Sequence, residues 1–304
     1  MSKWKELMAR SDAYATEIKS VPHKTYAVNP FVDVYTDTDA KGIYHLHFPT
    51  LDKGASAWMH LVVGEEKALL IDTAFGIGDL KGLVECLTDK PIIVFNTHYH
   101  GDHTQGNGWF ESVYIHEYDV PYLQATIAAG AQGRFYPHIA HTFTENDLTP
   151  AGGYDIIPVH DGYTFDLGDR KLEVIHMPGH SAGGAMLLDE TDGILFSGDA
   201  VVFTPTLIIG RFPNQFHGEL MTVKAFYDSL EKALPRLKSV NKLYTGHSVQ
   251  GIGSMQLRDM LECLRAILDK PQDHELYDYV DDPSQKQIMC KGNAMVVYTD
   301  DRIR

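Results

Sequence analysis

Between Asn96 and His103 the chain reads N-T-H-Y-H-G-D-H, which places three imidazoles and a carboxylate within the six positions from His98 to His103. Imidazole and carboxylate are the ordinary protein ligands of zinc and iron. His98 and His100 are two residues apart, so in extended backbone they point to the same side. The adjacent pair Asp102 and His103 cannot aim at one point as easily, which suggests two neighbouring cations rather than one. With 16 histidines in 304 residues some clustering is expected. Four ligand groups in six positions at the end of a strand are harder to assign to abundance.

The cluster directly follows the apolar run Pro91 to Phe95, so it sits where a buried strand gives way to a loop, the usual place for function on a rigid scaffold. Other candidate donors recur at the same kind of junction. Asp72 follows the apolar run Ala68 to Ile71 and precedes a glycine-containing turn, where an acid can also act simply as a cap. His180 lies past the strand Val174 to His176 and the breaker Pro178-Gly179, Asp199 stands in S-G-D-A just after an apolar strand, and His247 stands in T-G-H-S after Lys242 to Tyr244.

Taken with these motifs, T-H-Y-H-G-D-H resembles the HxHxDH signature of the metallo-β-lactamase superfamily. The resemblance covers about residues 40 to 250 and the ordered set Asp72, His98, His100, Asp102, His103, His180, Asp199 and His247. It implies an α/β (α+β) fold, a four-layer αββα sandwich. It further implies one metal held by His98, His100 and His180, a second by Asp102, His103 and His247, and Asp199 as the carboxylate between them. Asp72 would support the ligand loop from behind. Two dications close together repel, so an anion between them is chemically reasonable. The expected cofactors are two divalent ions, zinc first, with iron or manganese as alternatives. Asp102, a ligand with an oxygen to spare, is the expected catalytic residue for proton transfer.

The same resemblance narrows the chemistry. The di-iron oxygen reductases of the superfamily carry Glu where this chain has His100, and a flavin domain that finds no counterpart here. The commonest β-lactamases carry Arg and Cys where this chain has His103 and Asp199. The pattern is most similar to glyoxalase-II-like thioesterases and lactonases, which implies hydrolysis of an ester, thioester or lactone. The alternative is a persulfide dioxygenase using one iron at His98, His180 and Asp199. A noncatalytic metal-binding protein is a third reading, and a nuclease a fourth.

Composition bounds the partners. With 44% apolar residues, a chain of this length can bury a sizeable core, and a formal charge of −15 with a pI near 5.4 offers no basic surface for nucleic acid. Cys86, Cys263 and Cys290 are odd in number and widely spaced, as expected of reduced thiols. The N-terminal stretch has no apolar core, so neither a secretory signal nor a membrane span is expected there, and a cytoplasmic enzyme of a small-molecule substrate is the default.

The remaining elements read in order. Trp4, Leu7, Met8, Tyr14, Ala15 and Ile18 recur at helical spacing, with Ser11 interrupting the stripe, so residues 3–19 form a helix that packs on the domain or on another subunit of a homo-oligomer. Strands are expected at Phe31 to Tyr35, Ile43 to Phe48, Ser56 to Val63, Lys67 to Ile71, Ser112 to His116, Ala185 to Leu188 and Gly193 to Phe196. Helices are expected at Gly78 to Leu87, Val120 to Ala129, Phe216 to Leu237 with an interruption near Pro235, and Ser254 to Leu268. Gln287 to Tyr298 reads as two short strands closing an edge. The whole is expected as a single domain over 1–304, with 1–24 a helical extension and 251–304 a helix plus short strands.

Two segments are expected to wall the pocket, the irregular loop Gly130 to Gly153 and the weakly charged run Val201 to His217. Tyr136, Phe203 and His217 are the substrate-binding candidates they supply, and their character points to a partly apolar substrate.

Overall fold

The computed structural model describes residues 2–37, 40–51, 56–130, 142–209, 216–278 and 286–304. After α1 (Lys3–Glu17) come β1 (Lys24–Tyr26), β2 (Asn29–Thr36), β3 (Ile43–Phe48), β4 (Ala57–Val63) and β5 (Ala68–Ile71), then α2 (Leu80–Glu85), β6 (Ile92–Asn96), α3 (Gly101–Thr104), β7 (Ser112–His116), α4 (Val120–Ala129) and β8 (Asp155–Val159). The eight strands form one sheet in sequence order, antiparallel from β1 to β5 and parallel from β5 to β8. The change of sense has a local cause: at most eight residues separate the early strands in sequence, whereas helices lie between the later ones and carry the chain back.

The second half supplies β9 (Thr164–Asp166), β10 (Lys171–His176), β11 (Ala185–Asp189), β12 (Ile194–Gly198), β13 (Thr206–Ile208), α5 (Val223–Ala233), β14 (Lys242–Thr245), β15 (Ile252–Gly253), α6 (Met255–Asp269), β16 (Glu275–Tyr277), β17 (Lys286–Lys291) and β18 (Ala294–Tyr298). Six of these strands make a second sheet, in the order β15-β14-β12-β11-β10-β9.

Alternation within single strands shows how the layers stack. Along β5, Ala68 and Leu70 pack towards α2 and α4, while Leu69 and Ile71 face the second sheet. Along β12, Ile194 and Phe196 face the first sheet, while Leu195 packs with Phe226 of α5 and Met260 and Leu264 of α6. Strands buried on both faces need a layer on each side. The result is the expected αββα sandwich, with Ile43, Leu69, Phe95, Phe165, Leu187 and Phe196 among the side chains between the two sheets.

Several elements differ from expectation for local reasons. The helix expected over Gly78 to Leu87 is confined to α2, because the Asp79 side chain accepts from Gly82 N–H and starts the helix there. The helix expected from Phe216 begins only at Val223, where Thr222 Oγ1 accepts from Ala225 N–H, and its regular part ends ahead of Pro235. The C-terminal strand pair does not close an edge of the sandwich. It joins β13 and β16 in a separate four-stranded sheet, β13-β18-β17-β16. α1 lays Trp4, Leu7 and Met8 against Ile288, Met295 and Val297 of this sheet, so its apolar stripe is spent within the chain. Among the described residues no helix is long and apolar enough to cross a membrane.

Candidate metal centre

Five strand ends converge at one rim of the sandwich. β5 delivers Asp72, β6 delivers His98 to His103, the segment after β10 delivers His180, β12 delivers Asp199 and β14 delivers His247. The rim is stitched by backbone hydrogen bonds between the sheets, from Ala185 N–H to Thr97 O at 2.9 Å and from Trp58 N–H to Gly246 O at 2.8 Å. Gly198 adopts φ +48°, a left-handed conformation that glycine takes without strain, and this lets β12 turn sharply into Asp199.

Three imidazoles meet first. His98 Nε2 lies 3.0 Å from His100 Nδ1, and His180 Nε2 lies 2.9 Å from the same atom. The tautomers follow from the other ring nitrogens. His180 Nδ1–H donates to Leu207 O at 2.8 Å. Thr97 Oγ1 gives its proton to Asp72 and so accepts from His98 Nδ1–H at 3.1 Å. Each Nε2 therefore turns a lone pair inward. Burial, joined by repulsion from neighbouring imidazoles, holds His98 well below its ordinary pKa and His100 down to about 3. Burial likewise lowers His180, although Asp199 opposes it. Uncharged imidazoles with converging lone pairs are what a cation requires.

The second group is built from opposite charges. His103 Nδ1–H donates to Asp72 Oδ2 at 2.8 Å and His247 Nδ1–H to Ser56 O at 2.9 Å, which again turns both Nε2 atoms inward. His247 Nε2 stands 3.2 Å from Asp102 Oδ2 and 3.2 Å from Asp199 Oδ2, and His103 Nε2 stands 3.4 Å from Asp199 Oδ1. Burial alone would lower both imidazoles, but Asp199, Asp72 and Asp102 raise His103 well above its ordinary value, and Asp199 with Asp102 raises His247 to about 10. Either protons on these rings or a metal ion can balance the two carboxylates, so the donor set fits a divalent ion. Asp199 also reaches to within 3.6 Å of His180 Nε2, placing it between the groups. Donor atoms of His98, His100 and His180, of His98, His103 and Asp199, and of Asp102, His103 and His247 each lie within 4.8 Å of one another.

All seven expected ligands thus come together, with Asp72 behind them. Its carboxylate accepts from Thr97 N–H at 2.7 Å, from Thr97 Oγ1–H at 2.8 Å and from His103 Nδ1–H. Asp102 is the more exposed of the two carboxylates in the cluster, at 26% against 13% for Asp199. The pocket candidates fare differently. Phe203 is buried among Trp4, Leu7, Met8, Ile288 and Val297, with the Arg10 guanidinium 5.0 Å above its ring, so it is a core residue between α1 and the third sheet rather than a pocket wall. A large apolar ring in a low-charge run suits either place, and the unforeseen strand β13 decided between them. His217 is exposed, in a left-handed conformation, its ring 4.7 Å from Tyr118. Tyr136 lies outside the described residues, as do 131–141 of the first expected wall and 210–215 of the second.

Sequence reasoning missed the backbone acceptors Ser56 O and Leu207 O, which orient two of the rings from distant segments and carry no signal in residue type. It also missed Asp119. This carboxylate accepts from Tyr99 N–H, Ser181 Oγ–H and Gly183 N–H, and in sequence it reads only as a cap ahead of Val120-Pro121.

The family model of the metallo-beta-lactamase superfamily matches residues 53–247. The acyl-coenzyme A thioesterase MBLAC2 of Homo sapiens is 31% identical over 230 residues, 68% of this chain and 78% of that protein. An atrochrysone carboxyl ACP thioesterase of Aspergillus aculeatus, AacuM, is 30% identical over 147 residues, 47% of this chain and 39% of its own length. Among solved structures, a metallo-beta-lactamase from Pontibacter korlensis has a TM-score of 0.54 and 18% identity over 77% of this chain and 99% of that one, a likeness of fold.

Proposed function

The chain belongs to the metallo-β-lactamase superfamily and is a hydrolase of it, and from that premise we propose that it is a dinuclear metal-dependent thioesterase acting on acyl thioesters of a small carrier. The observation that carries the reading is the convergence of seven donor side chains from both sheets, with the tautomers of four of the imidazoles set by their outer nitrogens. His98, His100 and His180 would hold one ion, and Asp102, His103 and His247 the other, with Asp199 serving both. Zinc suits this mixture of imidazole and carboxylate best, with iron and manganese next. When bound, such ions supply a water acidic enough to ionise near neutral pH and an electrophile for the carbonyl.

The chain's own groups do the rest. Asp199 would offset the repulsion between two dications, and the Asp102 carboxylate, partly open to solvent, is placed to accept a proton from the attacking water. Its replacement by Asn should lower the maximal rate even at full metal occupancy. A thioester is the substrate class that this set handles with least help. The thiol it releases has a pKa of about 8.5, so it departs as thiolate without a proton donor. The two thioesterase relatives support that choice.

Metal analysis of protein purified without added metal, followed by a panel of acyl-coenzyme A thioesters, simple lactones and a glutathione persulfide, tests the reading. Two ions per chain and preference for thioesters are expected. One tightly held iron with oxygen uptake on the persulfide would replace the hydrolase by a dioxygenase.

A further inference from the structure

The three-imidazole group draws on both halves of the sandwich. His98 and His100 follow β6 of the first sheet, while His180 follows β10 of the second. Converging lone pairs repel, so the loops that present them need a tie other than the imidazoles themselves.

Asp119 supplies one. It lies in the short helical turn Glu117–Asp119 after β7, is fully buried, and stands at the position preceding α4 where an aspartate ordinarily accepts from its own helix. Here its side chain makes no such cap. Its Oδ2 accepts from Tyr99 N–H at 3.1 Å and from Ser181 Oγ–H at 2.8 Å, and its Oδ1 accepts from Gly183 N–H at 2.6 Å. Tyr99 is the residue between His98 and His100, and Ser181 follows His180. The approach is close enough that a Cβ on Gly183 would stand 2.6 Å from Asp119 N and 2.8 Å from its Cβ. All three partners are neutral donors. Burial pushes the carboxyl up to about 7 while these hydrogen bonds favour its charged form.

We propose that Asp119 is the positioning residue of the three-imidazole site, a splint that holds the His98–His100 loop against the His180 loop. The proposal rests on the reading that these imidazoles bind metal. Asp119 is the counterpart of Asp72, but it works differently: Asp72 touches an imidazole directly, whereas Asp119 acts through two peptide groups and one hydroxyl. Only a carboxylate satisfies all three donors. An asparagine at 119 has one acceptor oxygen, and whichever way it is turned, its NH2 faces the N–H of either Gly183 or Tyr99, so one of the three ties is lost and an N–H is set against an N–H.

The test uses full-length protein, stripped with a chelator and titrated with Co(II) by visible absorption, on a His247→Ala background that leaves the three-imidazole group as the principal site. Failure of the parent protein to bind Co(II) would overturn the metal reading itself and the splint with it. If the parent binds, Asp119→Asn should weaken the affinity about 10- to 100-fold, the range for losing a group that orients ligands. Its absorption bands should also shift. Because Asp119→Asn also disturbs a buried site, Ser181 gives a milder second arm: Ser181→Ala should weaken Co(II) binding several-fold, and Ser181→Thr, which keeps the hydroxyl, should restore both affinity and spectrum. Unchanged affinity in Ser181→Ala and Asp119→Asn would overturn the proposal. So would losses that simply track a lower Tm and are not rescued by Ser181→Thr.

Discussion

A methyl group at position 246 would collide with Asp199 Oδ1 and stand 2.7 Å from His103 Cε1, so the glycine of T-G-H is what lets β14 approach these two donor side chains. Gly246→Ala should therefore lower the metal-to-protein ratio and the rate of hydrolysis together while leaving Tm little changed, because the collision falls on donors and not on the core. Elemental analysis beside a melting curve checks this; an alanine variant with full metal content would mean that the rim has slack. A second contrast belongs to the same scale. Asp199 reaches donors of both groups, whereas Asp72 reaches the cluster only through Thr97 and His103. Asp199→Ala should cost more metal than Asp72→Ala, and equal losses would place Asp72 on an ion or Asp199 off one.

Elements outside the strand ends also bear on the site. α1 packs on the third sheet, and its Ser11 and Ser248 hydroxyls share a buried hydrogen bond immediately beyond His247. Ser248 itself is held at φ +60°, an uncommon conformation for a non-glycine residue that packing must maintain. Gln250 pins the same loop, its amide bonding Thr245 N–H at 2.9 Å and Ser248 O at 3.2 Å. The helix is thus a backstop for the loop that presents His247. Ser11→Ala leaves the Ser248 hydroxyl without this partner, at a cost of about 1–3 kcal/mol. Zinc titration should show one of two binding steps weakened, the step that His247→Ala abolishes. Two unchanged steps would show that the helix only covers the third sheet.

At the scale of the whole molecule, buried histidines outside the donor cluster make stability depend on pH. His47 stacks on Trp58 at 4.2 Å and His116 on His176 at 3.9 Å. Burial comes first in lowering both to about 3, helped by Lys19 and His23 beside His47 and by His176 beside His116. The unfolded chain takes up these protons near pH 6.5 and the folded chain only near 3, so their stabilisation is present above 6.5 and is lost as pH falls through that interval. Each contributes a slope of about 1.4 kcal/mol per pH unit there. Urea denaturation of chelator-treated protein at pH 7, 6 and 5 should show the fall, and His47→Gln with His116→Gln should flatten it. Identical slopes in the variant would mean that these rings protonate in place.

The sequence determined the candidate donors and their places along the chain, because each follows an apolar run whose alternation marks a strand, and strand ends are where a sandwich presents its loops. His98, His180, Asp199 and His247 could be read in that way, as could most of β3, β7 and α4. It could not determine which distant groups orient them. The carbonyls of Ser56 and Leu207 have no side-chain signature, and Asp119 looks like a helix cap until the loops it ties are folded against it. Phe203 shows the same limit from the other side. An aromatic ring in an uncharged run fits a pocket or a core equally well, and only the pairing of β13 with β18, between segments almost ninety residues apart in sequence, placed it under α1. Local patterns are set by neighbours within a few residues, whereas a ligand's second nitrogen is satisfied by whatever the tertiary fold brings within 3 Å of it.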